Sequence, residues 1–526
     1  MAVFLNTDAA YQDFQMLRND EFFTDKTGMI EKISRKINTK NRFICITKPR
    51  RFGKTSILNM LGAYYGKSCC SKALFDGLQA SRCEACERHR NQYDVIKISF
   101  NELSWKGKEY SDYIGRFQKM LEQDIREAYP ALCGREFDSL PDLITASGGR
   151  FLFLIDEWDY IFSQENCREY HDDFLELLRD LLKDRPYVVF AYMTGVLPVK
   201  QYSTGSALNM FDEYTMLNDA YFDEYFGFTQ QETEQLCQKQ SKLSMSEISE
   251  WYDGYVTDEG KRLYNPRSVV MALGRGKCQS YWTRTGRMDE VLYFLKYNIA
   301  EVRDDVIKMV NGQSVKTDIW REYTAGQEPP SSRKEIYAAM IIYGMLSYHE
   351  RELRIPNQEL MLEFQKALED NEFDEVAQLV RNSSEVLSAT LEQKADKVQL
   401  YLHSIHNSEI PVLKYNDENS LACVVTLAYL AARNKYQIVR EEKSGKGYAD
   451  FLFYPKVKSL PGIVIELKAD GTPQAAIRQI KEKEYCEKLK REHPGKILLV
   501  GISYHTKKKE HQCRIEEYEC STGLSH

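Results

Sequence analysis

Two carboxylates and a lysine in the C-terminal third of the sequence have the types and spacing of a phosphodiester-cleaving centre. Gly447-Tyr448-Ala449-Asp450 is followed by a short apolar run, a turn, and Ile463-Val464-Ile465-Glu466-Leu467-Lys468. Asp450 and Glu466 supply hard oxygen ligands for Mg²⁺, with Mn²⁺ as a substitute. Lys468 supplies an ammonium that can steady the attacking water or the pentavalent phosphate.

The elements that must position these groups are readable from spacing. Phe451 to Tyr454 and Ile463 to Ile465 are strand-like runs separated by Pro455 to Gly462, which predicts an antiparallel hairpin. Centred on Lys458, the hairpin sets Asp450 directly opposite Glu466, so that the two can share one cation. Glu466 and Lys468, two apart on one strand, project from the same face, and Leu467 points the other way into a core. Downstream, Ala475 to Ile480 has helical spacing and lays Gln479 beside the site.

A second chemistry sits near the N-terminus. The apolar run Arg42 to Thr47 leads into Lys48-Pro49-Arg50-Arg51-Phe52-Gly53-Lys54-Thr55-Ser56 and then Ile57 to Leu61, a strand, a loop and a helix. The loop approximates G-x-x-x-x-G-K-[ST], whose backbone N–H groups and helix N-terminus cradle phosphates. Lys48 occupies the first glycine position. Phe151 to Ile155 is a continuous apolar run of the kind a doubly covered parallel strand needs, and it ends in Asp156-Glu157. The first acid stands where Mg²⁺ is held and the second can polarise an attacking water. Val188 to Met193 is a third buried-type strand, with Thr194 at its end in reach of a γ-phosphate. Ligands bind outside the carboxyl ends of such strands. The expected nucleotide contacts are Arg51, Gly53, Lys54, Thr55, Ser56, Asp156 and Thr194. Thr55 and Asp156 hold the metal, and Glu157 is the hydrolytic base.

Two resemblances follow from these residues. Ser444 to Asp450, then Glu466-Leu467-Lys468, then Gln479 to Tyr485 resemble the PD-(D/E)XK nuclease domain at the C-terminus of bacterial AAA-ATPase-like proteins. The resemblance implies Asp450 and Glu466 as metal ligands, Lys468 as the catalytic lysine and Gln479 as a supporting helix residue. It also implies an outer acid before the glycines, which Glu441 or Glu442 can supply. A basic residue often stands where this chain has Tyr448. Phe23-Thr24-Asp25-Lys26-Thr27, Pro49 to Thr55 and Ile155-Asp156-Glu157-Trp158-Asp159 resemble the same proteins. There a missing first glycine is usual and the Phe23 to Thr27 segment lies near the nucleotide. Tyr252-Asp253-Gly254-Tyr255, Tyr264-Asn265-Pro266, Tyr281-Trp282 and Arg354-Ile355-Pro356-Asn357 are further similar pieces, read as packing and turn residues.

At 526 residues the chain exceeds one core and should form about three domains. They are an N-terminal P-loop NTPase with a parallel sheet (1–225), a helical lid or connector (226–375), and a C-terminal α/β PD-(D/E)XK nuclease-like domain (376–526). Leu236, Leu243, Ile248 and Trp251, and later Met340, Ile342, Met345 and Leu346, recur at roughly helical spacing. Gly326 to Ser332 reads as an exposed turn, and Glu363 to Lys397 as a solvated helix leading to the last domain.

A net charge of −7 does not fit a small constitutive nucleic-acid binder. Local charge differs, because Lys481, Lys483, Lys488, Lys490, Arg491, Lys496 and Lys507-Lys508-Lys509 surround the proposed centre, where they could neutralise phosphates. No secretory signal and no apolar run of about 20 residues is visible, which predicts a cytoplasmic protein without a membrane partner. Thirteen scattered cysteines suit reduced thiols. Cys83-x-x-Cys86 with His89, near Cys69 and Cys70, is the one arrangement with zinc-like spacing. Arg267 and Arg284 carry no role readable from sequence, and self-association is compatible with the chain. The expected function is ATP binding and hydrolysis joined to metal-dependent cleavage of DNA. The alternative is a nucleotide-dependent switch or DNA-binding regulator with an inactive nuclease fold.

Overall fold

The computed structural model describes residues 2–102, 110–199, 208–219, 221–257, 259–282, 300–310, 312–319, 322–369, 374–406, 418–457, 459–493 and 495–518. Two compact units divide the chain, Met1–Arg287 with Ser314–Met361 and Met288–Gln313 with Leu362–His526.

Apolar runs without alternation need cover on both faces, and in the first unit they build a five-stranded parallel sheet. Strands β1 (Phe43–Thr47), β2 (Asp94–Ser99), β3 (Phe151–Asp156), β4 (Val188–Gly195) and β5 (Asp212–Tyr214) lie in the order β2-β3-β4-β1-β5. Every position of β1, β3 and β4 is buried. The loop after β1 and the acids after β3 therefore meet across the carboxyl end of β4. The helix Lys54–Tyr65 packs on β3. The helices Tyr110–Ala128 and His171–Leu182 contribute Phe117, Leu121, Phe174 and Leu178 to the core that holds Phe151, Phe153 and Ile155.

The middle of the sequence is mainly helical, with Gln230–Cys237, Met245–Tyr252, Pro266–Arg275 and Arg333–Ile342 among its helices. Capping boxes start three of them, pairing Thr229 with Glu232, Ser244 with Glu247 and Ser332 with Glu335. Leu236, Leu243 and Ile248 form one core with Trp251 against it, and Met340, Ile342, Met345 and Leu346 are buried. Two small antiparallel sheets lie beside these helices. One joins β6 (Phe228–Thr229), β7 (Tyr255–Val256) and β8 (Arg262–Tyr264), the other β9 (Val315–Lys316), β10 (Ser347–His349) and β11 (Glu352–Arg354). Strands of two or three residues are too short to show as alternation in a sequence.

The aromatic and proline pieces of the sequence meet here. Gly254, at φ +133°, lies so close to Pro356 that an added Cβ would stand 1.6 Å from the Pro356 carbonyl oxygen. Tyr255 donates to the Gly344 carbonyl at 2.7 Å, and its ring meets Phe52 edge-on at 5.0 Å. Asn265 caps the helix Pro266–Arg275 by accepting from the Arg267 and Ser268 amides.

The second unit holds a five-stranded sheet in sequential order, β12 (Tyr436–Ser444), β13 (Gly447–Pro455), β14 (Gly462–Ala469), β15 (Ile497–His505) and β16 (Glu510–Tyr518). Its pairs are antiparallel except β14 with β15, which are parallel and joined through the helix Pro473–Glu482. The stretch expected as a solvated helix is instead packed. In Asp374–Leu391, Val386, Leu387, Ala389 and Thr390 are buried, and the helix lies against Ala395–His406 and Glu418–Ala428. Among the described residues, no helix is long and apolar enough to cross a membrane.

A side chain at position 254 has neither room nor a favourable backbone conformation. Gly254→Ala is expected to cost at least about 3 kcal/mol, measured as a loss of several degrees in melting temperature.

Candidate functional sites

In the first unit, Gly53 caps the helix Lys54–Tyr65 at φ +90°, and Arg51 has φ +70°. This left-handed geometry bends the loop back over the helix start, and only the glycine adopts it without strain. Lys54 is buried and donates to the carbonyls of Lys48 and Pro49 at 2.8 and 2.9 Å. Burial pulls its ammonium down to about 8, against the opposing attraction of Asp156, Asp159 and Glu157. Thr55 donates to Asp156 at 2.7 Å, which joins the loop to the end of β3. Desolvation raises Asp156, Glu157 and Asp159 above the usual carboxylate range, and Asp156 adds to it for Glu157. Glu157 has φ +46°, a conformation that a non-glycine residue keeps only where its surroundings enforce it.

Lys48 turns away from the loop. Its ammonium is buried against Asp219 at 2.8 Å and donates to the Thr215 carbonyl at 2.7 Å. Its φ is not positive, so the backbone makes no demand for glycine at that position. Ser56 follows in the first turn of the helix, half-buried. Thr194 is fully buried and donates to the Ile46 carbonyl at 2.9 Å, clamping β4 to β1. The Arg51 guanidinium donates to the carbonyls of Tyr281 and Trp282 at 3.2 and 3.1 Å. Phe52 accepts the Gly227 amide through its carbonyl, and an added Cβ on Gly344 would meet Pro49 at 2.5 Å. The phosphate-type loop is thus held on its outer side by the helical module, which single-strand reasoning did not anticipate. Burial, and secondarily the Arg267 charge, lower the Arg51 guanidinium, with Glu359 pulling the other way, and Arg284 lies outside the described residues.

In the second unit, the hairpin has the predicted register. Phe451, Leu452 and Phe453 pair with Ile465, Val464 and Ile463, which leaves Asp450 across from Glu466. Lys458, the expected centre, lies outside the described residues. Asp450 accepts the Leu467 amide at 2.7 Å. Glu466 is 2% exposed, and its Oε1 accepts from Lys468 at 3.0 Å and from Gln479 at 2.5 Å. Its Oε2 is buried and has no hydrogen-bond partner. Burial, and secondarily the Asp450 charge, push the Glu466 carboxyl up to about 7, with Lys468 pulling the other way. Gln479 is delivered by the helix Pro473–Glu482, which Thr472 caps and whose Ile477 and Ile480 pack on Leu452 and Val464. Leu467 is buried as expected.

These groups fit a divalent cation. A buried carboxylate oxygen without a partner, beside a second carboxylate, is a liability that a cation would relieve. Among the described residues, no group of three or more His, Cys, Asp or Glu side chains is arranged to hold a metal. Asp450 and Glu466 alone suit Mg²⁺, which keeps several waters and substrate phosphates in its shell. Of the two outer acids, Glu442 is engaged by Lys488 and by the Tyr454 hydroxyl at 2.8 Å. Glu441 is exposed at φ +49°, and the flanking pairs Arg440–Phe451 and Glu442–Ala449 leave it across from Asp450. Tyr448, where a basic residue often stands, is 62% exposed.

The basic residues expected around the centre divide into paired and exposed ones. Lys481, Lys488, Lys490 and Lys496 are each paired with a carboxylate, of Glu516, Glu442, Glu487 and Glu517 respectively. Charges interleaved in sequence meet across neighbouring strands and turns. Lys507, Lys508 and Lys509 are exposed in the β15–β16 turn. Because β14 and β15 run parallel, with Lys468 opposite Ser503, that turn lies at the same end of the sheet as Glu466. The zinc-like cluster is corrected, since Cys83 and Cys86 are joined in a disulfide. His89 bonds the Tyr93 hydroxyl through Nδ1 and accepts from Arg88 at Nε2.

Comparison with known proteins agrees with this division. Residues 9–204 match the model of the AAA-ATPase-like family, described as a predicted AAA-ATPase, and residues 416–513 match a PD-(D/E)XK nuclease superfamily model. Among solved structures, the Walker-type ATPase paby2304 of Pyrococcus abyssi has a TM-score of 0.33 and 13% identity, covering 65% of this chain and 94% of its own. The Aeropyrum pernix ORC2 protein, in its ADPNP-ADP complexes, has a TM-score of 0.32 and 11% identity, covering 65% and 93%. Both are distant likenesses. No curated protein matches the chain.

The raised Glu466 carboxyl fixes a sign. Its folded pKa lies above the ordinary value of 4.5, so without metal its ionisation opposes folding, and that cost accrues as pH rises from about 4.5 to about 7. Glu466→Gln should therefore melt a few degrees above the parent at pH 8 in EDTA, a gap that closes toward pH 4.5. In an Asp156→Asn background, which removes the other candidate metal position, added Mn²⁺ should stabilise the chain with Glu466 intact and leave the Glu466→Gln variant unmoved.

Proposed function

We propose that this chain, which carries an AAA-ATPase-like domain and a PD-(D/E)XK nuclease superfamily domain, binds and hydrolyses ATP at the first and cleaves DNA at the second, with the nucleotide state controlling cleavage. The observation that carries the reading is the Glu466 carboxylate, held through Oε1 by Lys468 and Gln479 and facing Asp450 across the hairpin, with a buried Oε2 that has no hydrogen-bond partner.

In this reading Asp450 and Glu466 hold Mg²⁺ or Mn²⁺, which supplies positive charge beside the scissile phosphate when bound. Gln479 fixes the Glu466 carboxylate through Oε1 and leaves Oε2 for the cation. Lys468 is half-buried and held 3.0 Å from Glu466. Released toward an incoming phosphate, its ammonium would offset charge developing on the phosphoryl oxygens or orient the attacking water. The exposed Lys507 to Lys509 turn, at the same end of the sheet, supports a polyanionic substrate.

At the first site Lys54, now bonded to loop carbonyls, would exchange those partners for the β and γ phosphates of ATP. Loop amides near Arg51 and Gly53 and the helix start at Thr55 and Ser56 would hold the phosphates. Thr55 and Asp156 are the groups that would hold Mg²⁺. Glu157, raised by burial and by Asp156, is suited to polarise the hydrolytic water. Thr194 is proposed to act through the β1–β4 clamp that it closes at the carboxyl end of the sheet. Nucleotide control is motivated by the presence of both chemistries in one chain.

The test is cleavage of plasmid, linear DNA and a matched RNA with Mg²⁺ or Mn²⁺, each with ATP, ADP or no nucleotide. The expected result is metal-dependent DNA cleavage that falls at least about 100-fold in Asp450→Ala, Glu466→Ala and Lys468→Ala and changes with nucleotide in the parent but not in Lys54→Ala. Equal rates in every nucleotide state would remove the control. No cleavage, with ATP still bound, would favour a nucleotide-dependent switch. Replacing Lys507, Lys508 and Lys509 by glutamine should weaken DNA binding and flatten its dependence on salt.

A further inference from the structure

One part of the first unit is used by neither chemistry. Cys83 and Cys86 are bonded, with Cα atoms 5.3 Å apart, at the start of the short helix Glu84–Glu87. Cys83 is half-exposed, whereas Cys86 is 1% exposed. A bridge that encloses two residues removes little freedom from the unfolded chain, so it contributes less to stability than a bridge closing a long loop. Its placement has another consequence. The turn just before it, Gln79–Arg82, is fastened to the Asp25–Thr27 segment by three hydrogen bonds. The Gln79 amide donates to the Asp25 carboxylate at 2.8 Å and the Gln79 side chain to the Asp25 carbonyl at 3.1 Å. The buried Ala80 amide donates to the Thr27 hydroxyl at 3.0 Å.

The turn also continues into the bridge, because the Cys83 amide donates to the Ala80 carbonyl and the Cys86 amide to the Cys83 carbonyl. The helix Met29–Ser34, which begins two residues after Thr27, packs against both the turn and Glu84–Glu87. The disulfide therefore closes the far side of a clip whose near side grips Asp25 and Thr27.

We propose that Cys83–Cys86 is a thiol–disulfide exchange site, reduced by small monothiols of the glutathione class, and that its state sets how firmly the Gln79–Arg82 turn holds Asp25 and Thr27. A thiolate attacks the sulfur of Cys83, the less buried of the two, the S–S bond breaks, and Cys86 leaves as a thiolate that takes up a proton. A second thiol then attacks the outer sulfur of the mixed disulfide and releases Cys83. Two monothiols are oxidised to one disulfide as the protein bridge is reduced to two thiols. The shielded Cys86 stays beside Cys83 and can close the bridge again when oxidised glutathione is in excess.

The full chain is equilibrated in buffers of graded reduced-to-oxidised glutathione ratio, denatured, trapped with N-ethylmaleimide and read by peptide mass. The Cys83–Cys86 peptide should pass from no label to two labels within that range, and the step should vanish in Cys83→Ser. Amide hydrogen exchange over residues 25–27 and 79–80 should be at least tenfold faster in the reduced protein. The Cys83→Ser/Cys86→Ser variant should match the reduced form in every buffer. Three results would overturn the proposal: a pair that keeps one state at all ratios, a stoichiometric zinc ion protecting both thiols from label, or equal exchange rates in the two states. Neither readout needs ATP to bind or DNA to be cut, so the outcome is independent of the function proposed above.

Discussion

A carboxylate at the end of a buried strand has three ways to exist: ionised with a partner, coordinated to a cation, or protonated. Both sites are built around that constraint. β3 ends in Asp156 at 4% exposure, and β14 carries Glu466 at 2%. In each case burial is the largest influence on the carboxyl and a nearby lysine only partly offsets it. Lys54 and Lys468 are therefore counter-charges to these carboxylates as well as candidate phosphate ligands. A cation beside the carboxylate and a phosphate beside the lysine would each supply an opposite charge to one member of the pair.

The surroundings of the two acids differ in a way that suits different work. Asp156 is tied through Thr55 to a loop, and that loop is itself gripped by the helical module through Arg51, Phe52 and Pro49. Movement of that loop must be felt by the module, since Tyr255 contacts both Phe52 and the Gly344 carbonyl. Glu466 is held instead by rigid elements, a paired strand and the capped helix that carries Gln479. A site made from strand and helix changes shape little on binding.

Much of this was legible before the structure. A period of two residues is enough to set the β13–β14 register, so Asp450 opposite Glu466 and the buried Leu467 followed from counting, and unalternating apolar runs implied the parallel sheet. The unread features depend on contacts between distant segments. That Gly254 abuts Pro356, or that Arg51 reaches the Tyr281 and Trp282 carbonyls, has no local signature. The lysines after Gln479 look free in one dimension and are paired in three, as Lys481 is with Glu516. The C-x-x-C spacing of Cys83 and Cys86 serves a zinc site and a disulfide equally well, and only the distance between the sulfurs separates them.

The claim on which most rests is that Asp450 and Glu466 together hold a divalent cation. The most direct measurement is Mn²⁺ binding followed by electron paramagnetic resonance on nucleotide-free protein carrying Asp156→Asn, which removes the other candidate metal position. One Mn²⁺ per chain, lost in both Asp450→Asn and Glu466→Gln backgrounds, is the predicted result. Binding that persists unchanged in either background would contradict it.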